Sequence, residues 1–332
     1  VIKSTMDNLV TLCVSQVDED RLALRRDIEQ ALNTLEQNLL IARQGDEYIF
    51  LTNEEKEIEK EIQHTDIEAS DETAELSNII FDEVLRRKNT YTYPENNQIF
   101  PVSRYCNGIP KDGSAENDLV VKVVSPIDAN YEDYSPAYCR NYSSGDNTGV
   151  ILIKLEDDKP LFDELRTFIK TRKFLKATSG NRTEQEQLLR DKWAENHARQ
   201  KRLIAAFEEL MKDAEYYALG STLNPKRNVI TAILDDSYRY VIENTFGKLK
   251  YIRRFPGDIK REIQNTLIAD DVTQLGLDLK AEEANPKATH EIESYISLAE
   301  DAGRNTTADD VVKRFARRPC GWNDDEIILI LA

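Results

Sequence analysis

The clearest hydrophobic pattern lies near the start of the chain. Apolar side chains recur at spacings of three and four, which predicts a helix over Arg25–Asn38 with one buried face. Two short apolar runs, Leu39–Ala42 and Tyr48–Leu51, then flank a turn in which Gly45 can adopt a positive φ. Helix, strand, glycine turn and strand is the order found in a winged helix. We therefore predict a winged-helix domain over residues 1–52, with Gly45 at the wing tip.

The next two segments differ in pattern. Residues 53–89 hold two helical patterns and are predicted to form a helical linker. Between residues 90 and 158, β-branched and aromatic residues alternate among Pro, Gly, Asn and Asp, which predicts a strand-rich domain. A loop of this domain carries four tyrosines, Tyr131, Tyr134, Tyr138 and Tyr142. We favour packing of these rings on their own sheet over a partner surface.

The second half of the chain is mostly helical in pattern. Residues 159–221 are predicted to form a helical hairpin or one long helix, and residues 222–332 an α/β region that becomes helical. The elements predicted in this last region are a strand at Asn228–Leu234, a helix at Asp235–Phe246, a short strand at Lys248–Ile252, and helices at Pro286–Leu298, Thr306–Arg317 and Asp324–Leu331. The fold class is therefore multi-domain α+β, with an N-terminal winged helix, a strand-rich middle domain, a long helical segment and a helical C-terminal part.

Charge divides the chain more sharply than its helices and strands do. The 332 residues include 61 acidic and 44 basic side chains, for a net charge of −17. Residues 1–158 alone carry 32 acidic and 15 basic side chains. Scattered cysteines, no secretory signal and no long apolar run indicate a cytoplasmic protein without a membrane partner. The first residue is Val and the last six are apolar, so we expect a piece of a longer polypeptide.

The sequence lacks the familiar catalytic motifs. It contains no G-x-x-x-x-G-K-[ST], no G-x-G-x-x-G, no G-x-S-x-G and no H-E-x-x-H. Three carboxylate pairs, Asp157–Asp158, Asp235–Asp236 and Asp270–Asp271, leave a metal-dependent enzyme open as an alternative, although turns and helix caps favour Asp for structural reasons. We expect no enzyme activity, no cofactor and no metal in this piece.

Nucleic-acid binding requires cations near phosphates. The predicted winged helix offers Arg25, Arg26 and Arg43, but its segment 17–52 is acidic overall. Better candidates lie in three later groups, although for each group a solvated helix face with acidic neighbours is the simpler interpretation. The groups are Lys170, Arg172, Lys173 and Lys176; then Arg199, Lys201 and Arg202; then Lys248, Lys250, Arg253 and Arg254.

Three stretches of the sequence resemble one protein family. They are Ala31–Glu61 (ALNTLEQNLLIARQGDEYIFLTNEEKEIEKE), Leu161–Leu175 (LFDELRTFIKTRKFL) and Arg318–Trp322 before a final apolar helix. They are similar to the region after the ATPase core in the large P-loop protein of BREX and phage-growth-limitation systems, the BrxC/PglY family. The sequence departs from that family at Cys320, where an aromatic residue is more usual.

The resemblance implies a region of a bacterial anti-phage ATPase that lies beyond its nucleotide site. ATP and Mg²⁺ are then implied for the parent chain only. The implied partners are a DNA methyltransferase, an alkaline-phosphatase-like protein or further copies of the chain. We therefore expect a non-catalytic scaffold or regulatory region that couples the ATPase to these partners or to self-assembly. The alternative is a DNA-binding module of a phage-defence or regulatory protein.

Overall fold

The structure, a computed structural model, describes residues 2–16, 20–44, 46–114, 117–178, 185–225, 227–268 and 285–332. The chain divides into two compact units. The first comprises residues 1–79 and 158–207, and the second comprises residues 80–157 and 208–332. In these described ranges, no helix combines the length and the apolar character needed to cross a bilayer.

The elements follow one another in a mixed order. The described helices are α1 (Met6–Cys13), α2 (Arg21–Gln37), α3 (Asn53–Gln63), α4 (Ala69–Asn78), α5 (Pro136–Tyr142), α6 (Lys159–Thr178), α7 (Glu186–Asp213), α8 (Ile230–Thr245), α9 (Ile259–Ile268), α10 (Pro286–Asp301), α11 (Ala308–Phe315) and α12 (Asp324–Leu331). The described strands are β1 (Ile41–Gln44), β2 (Glu47–Phe50), β3 (Thr90–Thr92), β4 (Ile99–Cys106), β5 (Ile109–Asp112), β6 (Leu119–Val124), β7 (Val150–Lys154), β8 (Glu215–Ala218) and β9 (Ser221–Leu223).

The first unit opens with two helices and a hairpin. Asp20 caps α2, since its side chain accepts hydrogen bonds from the backbone N–H groups of the first turn. Strands β1 and β2 pair antiparallel directly after α2, so the predicted order of helix, strand, turn and strand is confirmed. The N–H of Tyr48 also donates to the carbonyl of Ser4, which ties the first residues to the hairpin. The predicted wing tip, Gly45, lies outside the described residues.

The rest of the first unit is a helical assembly around α6. Helix α3 begins with a capping box between Thr52 and Glu55. Its two buried isoleucines pack on the end of α6 to form one apolar cluster, consisting of Ile58, Ile62, Phe174 and Leu175. Trp193 on α7 remains 42% exposed. The predicted long helical segment is therefore two helices, α6 and α7.

The second unit is organised by one seven-stranded mixed sheet. Six strands follow the order β3-β4-β6-β7-β8-β9, and β5 pairs beside β4. The central strands β4, β6 and β7 are parallel, whereas their neighbours are antiparallel. The strand-rich character of residues 90–158 is confirmed, and the sheet extends beyond them through β8 and β9. Strands β6 and β7 are near-continuous runs of β-branched residues and leucine, as expected where both faces of a parallel strand are covered.

Each face of this sheet has its own cover. On one face, α8 packs against the strands, and the rings of Tyr91 and Tyr238 lie 5.3 Å apart. On the other face, α5 places fully buried Cys139 against Leu152 and Tyr217. The buried Arg104 on β4 donates to both carboxylate oxygens of Asp112, which lowers the pKa of that carboxyl. The sheet thus buries apolar residues on both sides and satisfies its one buried guanidinium locally.

Two predicted strands after the sheet are wrong. Helix α8 begins at Ile230, inside the strand predicted at Asn228–Leu234, because its apolar residues recur at helical spacing with a cluster of β-branched residues at the start. The strand predicted at Lys248–Ile252 is instead a single turn of 3₁₀-helix, Leu249–Tyr251. The three C-terminal helices were placed correctly and correspond to α10, α11 and α12.

The last 85 residues, 248–332, pack against the sheet at several points. The side chain of Gln98, before β4, donates to the carbonyl of Gly321 over 2.7 Å. The indole N–H of Trp322 donates to the carbonyl of Lys248 over 3.0 Å, and its ring stacks on Phe315. Arg318 donates to the hydroxyl of Thr148. These contacts join the C-terminal helices and the sheet into one body.

Gly321 has a conformation that only glycine adopts easily. Its φ is +66°, and a Cβ at this position would overlap the ring of Phe246. We expect Gly321→Ala to lower the free energy of unfolding by about 1–3 kcal/mol. Gly247→Ala is the matched control, because a Cβ there has no neighbour within 4 Å. Thermal unfolding followed by circular dichroism measures the unfolding midpoints of both variants. Equal midpoints would contradict the close contact of Gly321 with the ring of Phe246.

Candidate nucleic-acid interface

The first predicted group of cations lies on α6 and is engaged by acids of α4. The fork of Arg172 donates to both carboxylate oxygens of Glu75, at 2.8 and 2.5 Å. Lys173 lies 3.3 Å from Asp71, and Lys170 donates to the carbonyl of Gln63 over 2.7 Å. Lys176 has no ion pair among the residues that the structure describes. Three of these four cations therefore already have a partner on the same unit.

Burial makes the Arg172–Glu75 pair different from its neighbours. The side chain of Glu75 is 5% exposed and that of Arg172 is 31% exposed. The guanidinium also lies 5.0 Å from the centre of the Phe168 ring. A guanidinium held by a bidentate carboxylate and an aromatic face is positioned for packing within the unit. A phosphate could reach it only at the cost of leaving Glu75 buried without its partner.

The second group, on α7, is neutralised in the same way. Lys192 donates to Glu59 on α3 and lies 3.0 Å from Glu195, and Arg199 shares Glu195 at 3.0 Å. Arg202 pairs with Glu164 on α6 at 3.0 Å, whereas Lys201 is exposed. Lys192 is only 7% exposed, and the pull of its two carboxylates raises its pKa against the opposing effect of burial. The middle of α7 is thus attached to α3 and α6 by ion pairs.

The arginines of the N-terminal segment are more open. Arg25 pairs with Asp7 at 2.6 Å, and both side chains are largely exposed. Arg43 lies over the ring of Tyr48, and its charge opposes the rise in the pKa of Glu36 that burial causes. Arg26 is exposed and has no ion pair within the described parts of the chain.

The third group differs because two of its four cations have no acidic partner among the residues that the structure describes. Lys248 pairs with Glu291 at 2.6 Å, and Arg254 donates to the carbonyl of Asn97 over 3.2 Å. Lys250 and Arg253 have exposed side chains, and neither forms an ion pair in the described ranges. The sequence analysis missed three further exposed cations close to this group along the chain or in space, Lys260, Arg261 and Lys287. Counting charge in windows of 15 residues would have found the first two.

A small cleft borders this group. It is formed by residues 96–99 before and in β4, by residues 252–259 and by the start of α12. Glu326 is buried at its edge, accepts the N–H of Phe255 over 2.8 Å, and has its pKa raised by burial. Arg254 opposes that shift, so this arginine faces a carboxylate as well as a carbonyl. Arg254, the one cation that lines the cleft in the described parts of the chain, therefore faces carboxylates of the same cleft.

The carboxylate pairs serve structural roles where the structure describes them. Asp235 pairs with Lys88 at 2.7 Å and Asp236 with Arg227 at 2.9 Å. Asp158 accepts the N–H of Leu161 at the start of α6. Asp270–Asp271 lies outside the described residues. Within the described residues, no three His, Cys, Asp or Glu side chains converge as a metal site would require.

The tyrosine loop packs mostly on its own sheet, as we favoured. Tyr131 and Tyr134 lie against the buried cluster around Cys139, and Tyr131 donates to the carbonyl of Leu155 over 2.6 Å. Burial raises the pKa of Tyr134 to about 12. Tyr138 is 43% exposed and stacks on Tyr142. The loop therefore closes one face of the sheet.

Two family models match the chain. The BREX ATP-binding protein BrxC 4th domain with six-stranded beta sheet matches residues 65–241, and the BREX ATP-binding protein BrxC winged helix-turn-helix domain matches residues 248–332. The first match covers more than half of the chain, and all seven strands of the sheet lie within it. No solved structure matches the chain.

Together these matches define a component of a BREX system that carries a β-sheet domain and a winged helix. The chain belongs to the family of the BREX ATP-binding protein BrxC. The winged helix that the comparison shows is at residues 248–332, where the sequence pattern predicted an α/β to helical region. The winged helix predicted at residues 1–52 is not shown by the comparison and stays a prediction.

The buried ion pair on α6 can be tested directly. We expect Arg172→Ala to lower the free energy of unfolding by about 3 kcal/mol, because it leaves Glu75 buried and unpaired. The adjacent Lys173→Ala should leave stability nearly unchanged, since its pair with Asp71 is largely exposed. Urea unfolding followed by circular dichroism measures both.

A double variant provides the control for lost packing. Arg172→Leu with Glu75→Leu removes both charges, and we expect it to recover most of the stability lost by Arg172→Ala. If the double variant is as unstable as Arg172→Ala, desolvation of Glu75 is not the cause.

Proposed function

We propose that this part of a BREX ATP-binding protein is a non-catalytic scaffold that couples the ATPase to partner proteins or to further copies of the chain. In this proposal, the chain transmits movement and force between the ATPase and the proteins that bind the chain. Its partners would be other defence-system proteins, such as a methyltransferase and an alkaline-phosphatase-like protein.

One observation carries this proposal. The seven strands of the sheet and the winged-helix segment 248–332 lie in one compact unit, although the sheet and the winged helix match two separate family models. The contacts between them include the hydrogen bond from Gln98 to the carbonyl of Gly321 and the hydrogen bond from Arg318 to Thr148. In this proposal, a partner bound to one part moves the other part with it. That property is what a mechanical coupling element needs.

The charges of α12 further support a scaffold role. In helix-turn-helix proteins the N-terminal residues of the second helix contact base edges. Here α12 follows α11 in that position, and its first three residues are Asp324, Asp325 and Glu326. Carboxylates at the start of this helix repel phosphates, and Glu326 is already bonded to the N–H of Phe255. Base reading by this helix is therefore disfavoured.

The N-terminal segment enters the proposal as a second winged helix over residues 1–52. Helix α2 followed by the β1–β2 hairpin supports it, as does the pairing of Ser4 with Tyr48 along the hairpin. Such a domain would give the scaffold a second surface for protein partners, since the segment is acidic overall.

If the chain is a scaffold, we expect it not to bind ATP. The sequence has no phosphate-cradling loop with its lysine, so ATP has no site to stabilise. We expect the thermal unfolding midpoint of the chain to be the same with and without ATP and Mg²⁺. A midpoint that rises with ATP concentration would mean that the chain binds nucleotide, and a purely mechanical role would then be wrong.

Partner coupling needs a separate measurement. We expect the tagged chain to copurify the methyltransferase or the alkaline-phosphatase-like protein from cells that express the BREX system, or to sediment as an oligomer by itself. Gly321→Ala should weaken the association, while Gly247→Ala should preserve it, because only the first disturbs the joint. A monomeric chain that retains neither protein would overturn the proposal.

A further inference from the structure

We propose that five exposed cations at the start of the winged-helix segment bind the phosphate backbone of duplex DNA without reading its sequence. We call these residues, Lys250, Arg253, Lys260, Arg261 and Lys287, the basic patch. The proposal goes beyond the scaffold role, because it gives the coupling element a contact with nucleic acid.

The structure brings three members of the basic patch together. The N–H of Arg253 donates to the side-chain carbonyl of Asn285 over 2.7 Å, and the amide of Asn285 donates back to the carbonyl of Arg253 over 3.3 Å. Lys287, two residues after Asn285, lies 5.6 Å from the centre of the Tyr251 ring. Lys250 precedes that tyrosine. These contacts hold two sequence-distant stretches side by side.

The other two members follow in the first turn of α9. Lys260 and Arg261 are exposed, and at most about 25 Å of extended chain separates Arg253 from Lys260. Duplex DNA carries one charge for roughly every 1.7 Å of its axis. Cations that follow one another this closely along the chain can contact neighbouring phosphates, which suits a backbone contact.

The local charge is opposite to that of the whole chain. Residues 248–262 hold six basic and two acidic side chains, in a chain of net charge −17. No member of the basic patch forms an ion pair with any residue that the structure describes. Most cations of α6 and α7, by contrast, are engaged by carboxylates of their own unit. Among the described residues, the basic patch is thus a group of exposed cations without carboxylate partners, which leaves it available to an external polyanion.

The same region explains why sequence should not be read. The helix that would enter the major groove begins with three carboxylates, and Arg254 is turned towards Asn97 and Glu326. The remaining cations sit on a loop, a short 3₁₀ turn and helix ends. Contacts to phosphates position a protein on DNA, whereas contacts to base edges specify the sequence.

Fluorescence anisotropy with a fluorescein-labelled 20-base-pair duplex tests the proposal. The slope of log K against log salt is about −0.9 per phosphate contact. If all five cations engage, affinity should fall about 500-fold between 50 and 200 mM NaCl, and about 12-fold for the triple variant Arg253→Ala, Lys260→Ala, Lys287→Ala. A second duplex of unrelated sequence should bind equally well.

The matched control is the triple variant Arg26→Ala, Lys176→Ala, Lys201→Ala. It removes the same charge from exposed positions of the other unit, and none of these residues has an ion pair in the described ranges. We expect it to keep the salt dependence of the unmodified chain. Circular dichroism confirms that both triple variants are folded.

Three outcomes would overturn the proposal. They are no duplex binding at 50 mM NaCl, an equal loss of affinity in both triple variants, and a strong preference between the two duplexes. Preferential binding to phosphatidylglycerol vesicles, lost with the basic patch, would assign the patch to a membrane surface instead. Partner copurification does not depend on these residues in our proposals. The scaffold role and the DNA contact are therefore tested independently.

Discussion

The need to cover both faces of the central parallel strands governs the second unit. Strands β6 and β7 are apolar on nearly every position, so neither face can be left to water. Helix α8 covers one face, and α5 with the tyrosine loop covers the other. Phe246, just after α8, then provides the ring against which Phe100 and Gly321 pack. The winged-helix segment is thus attached to the same core that holds the sheet together.

Charge in the first unit has a comparable structural role. The acids of α3 and α4 do not simply make the surface negative, because Glu59, Asp71 and Glu75 each meet a cation of α6 or α7. Several of these pairs are partly buried, where a missing partner is costly even if the pair itself adds little net stability. The acidic helices α3 and α4 and the basic side chains of α6 and the first part of α7 are therefore parts of one folded unit.

Much of the fold could be predicted from the sequence, and the errors have physical reasons. The periodicity of α6 and the valine-rich strands β6 and β7 gave correct elements, because their burial is continuous. The start of α8 was mistaken for a strand, because Val229, Ile230 and Ile233 are β-branched. Over so few residues, their spacing fits the period of a strand as well as that of a helix. The helices of the segment 248–332 were predicted, but its winged-helix fold was missed because its packing on the sheet depends on contacts distant in sequence.

The site was harder to predict than the fold. Arg172 and Arg199 looked available in the sequence, but their carboxylate partners lie on other helices or across a turn of the same helix. Charge clusters indicate where cations are, and only tertiary packing decides which of them face water. Arg253 was a candidate from the sequence and its side chain is exposed, whereas Lys287 was found only through its contact with Tyr251.

The placement of the two tryptophans gives each unit its own spectroscopic label. Trp322 is 2% exposed, stacked on Phe315 and hydrogen-bonded, whereas Trp193 in the first unit is 42% exposed. A buried indole emits at shorter wavelength than a hydrated one, so the two emissions differ in the native chain. The order in which the two units lose structure can therefore be followed in the unmodified protein, without an added probe.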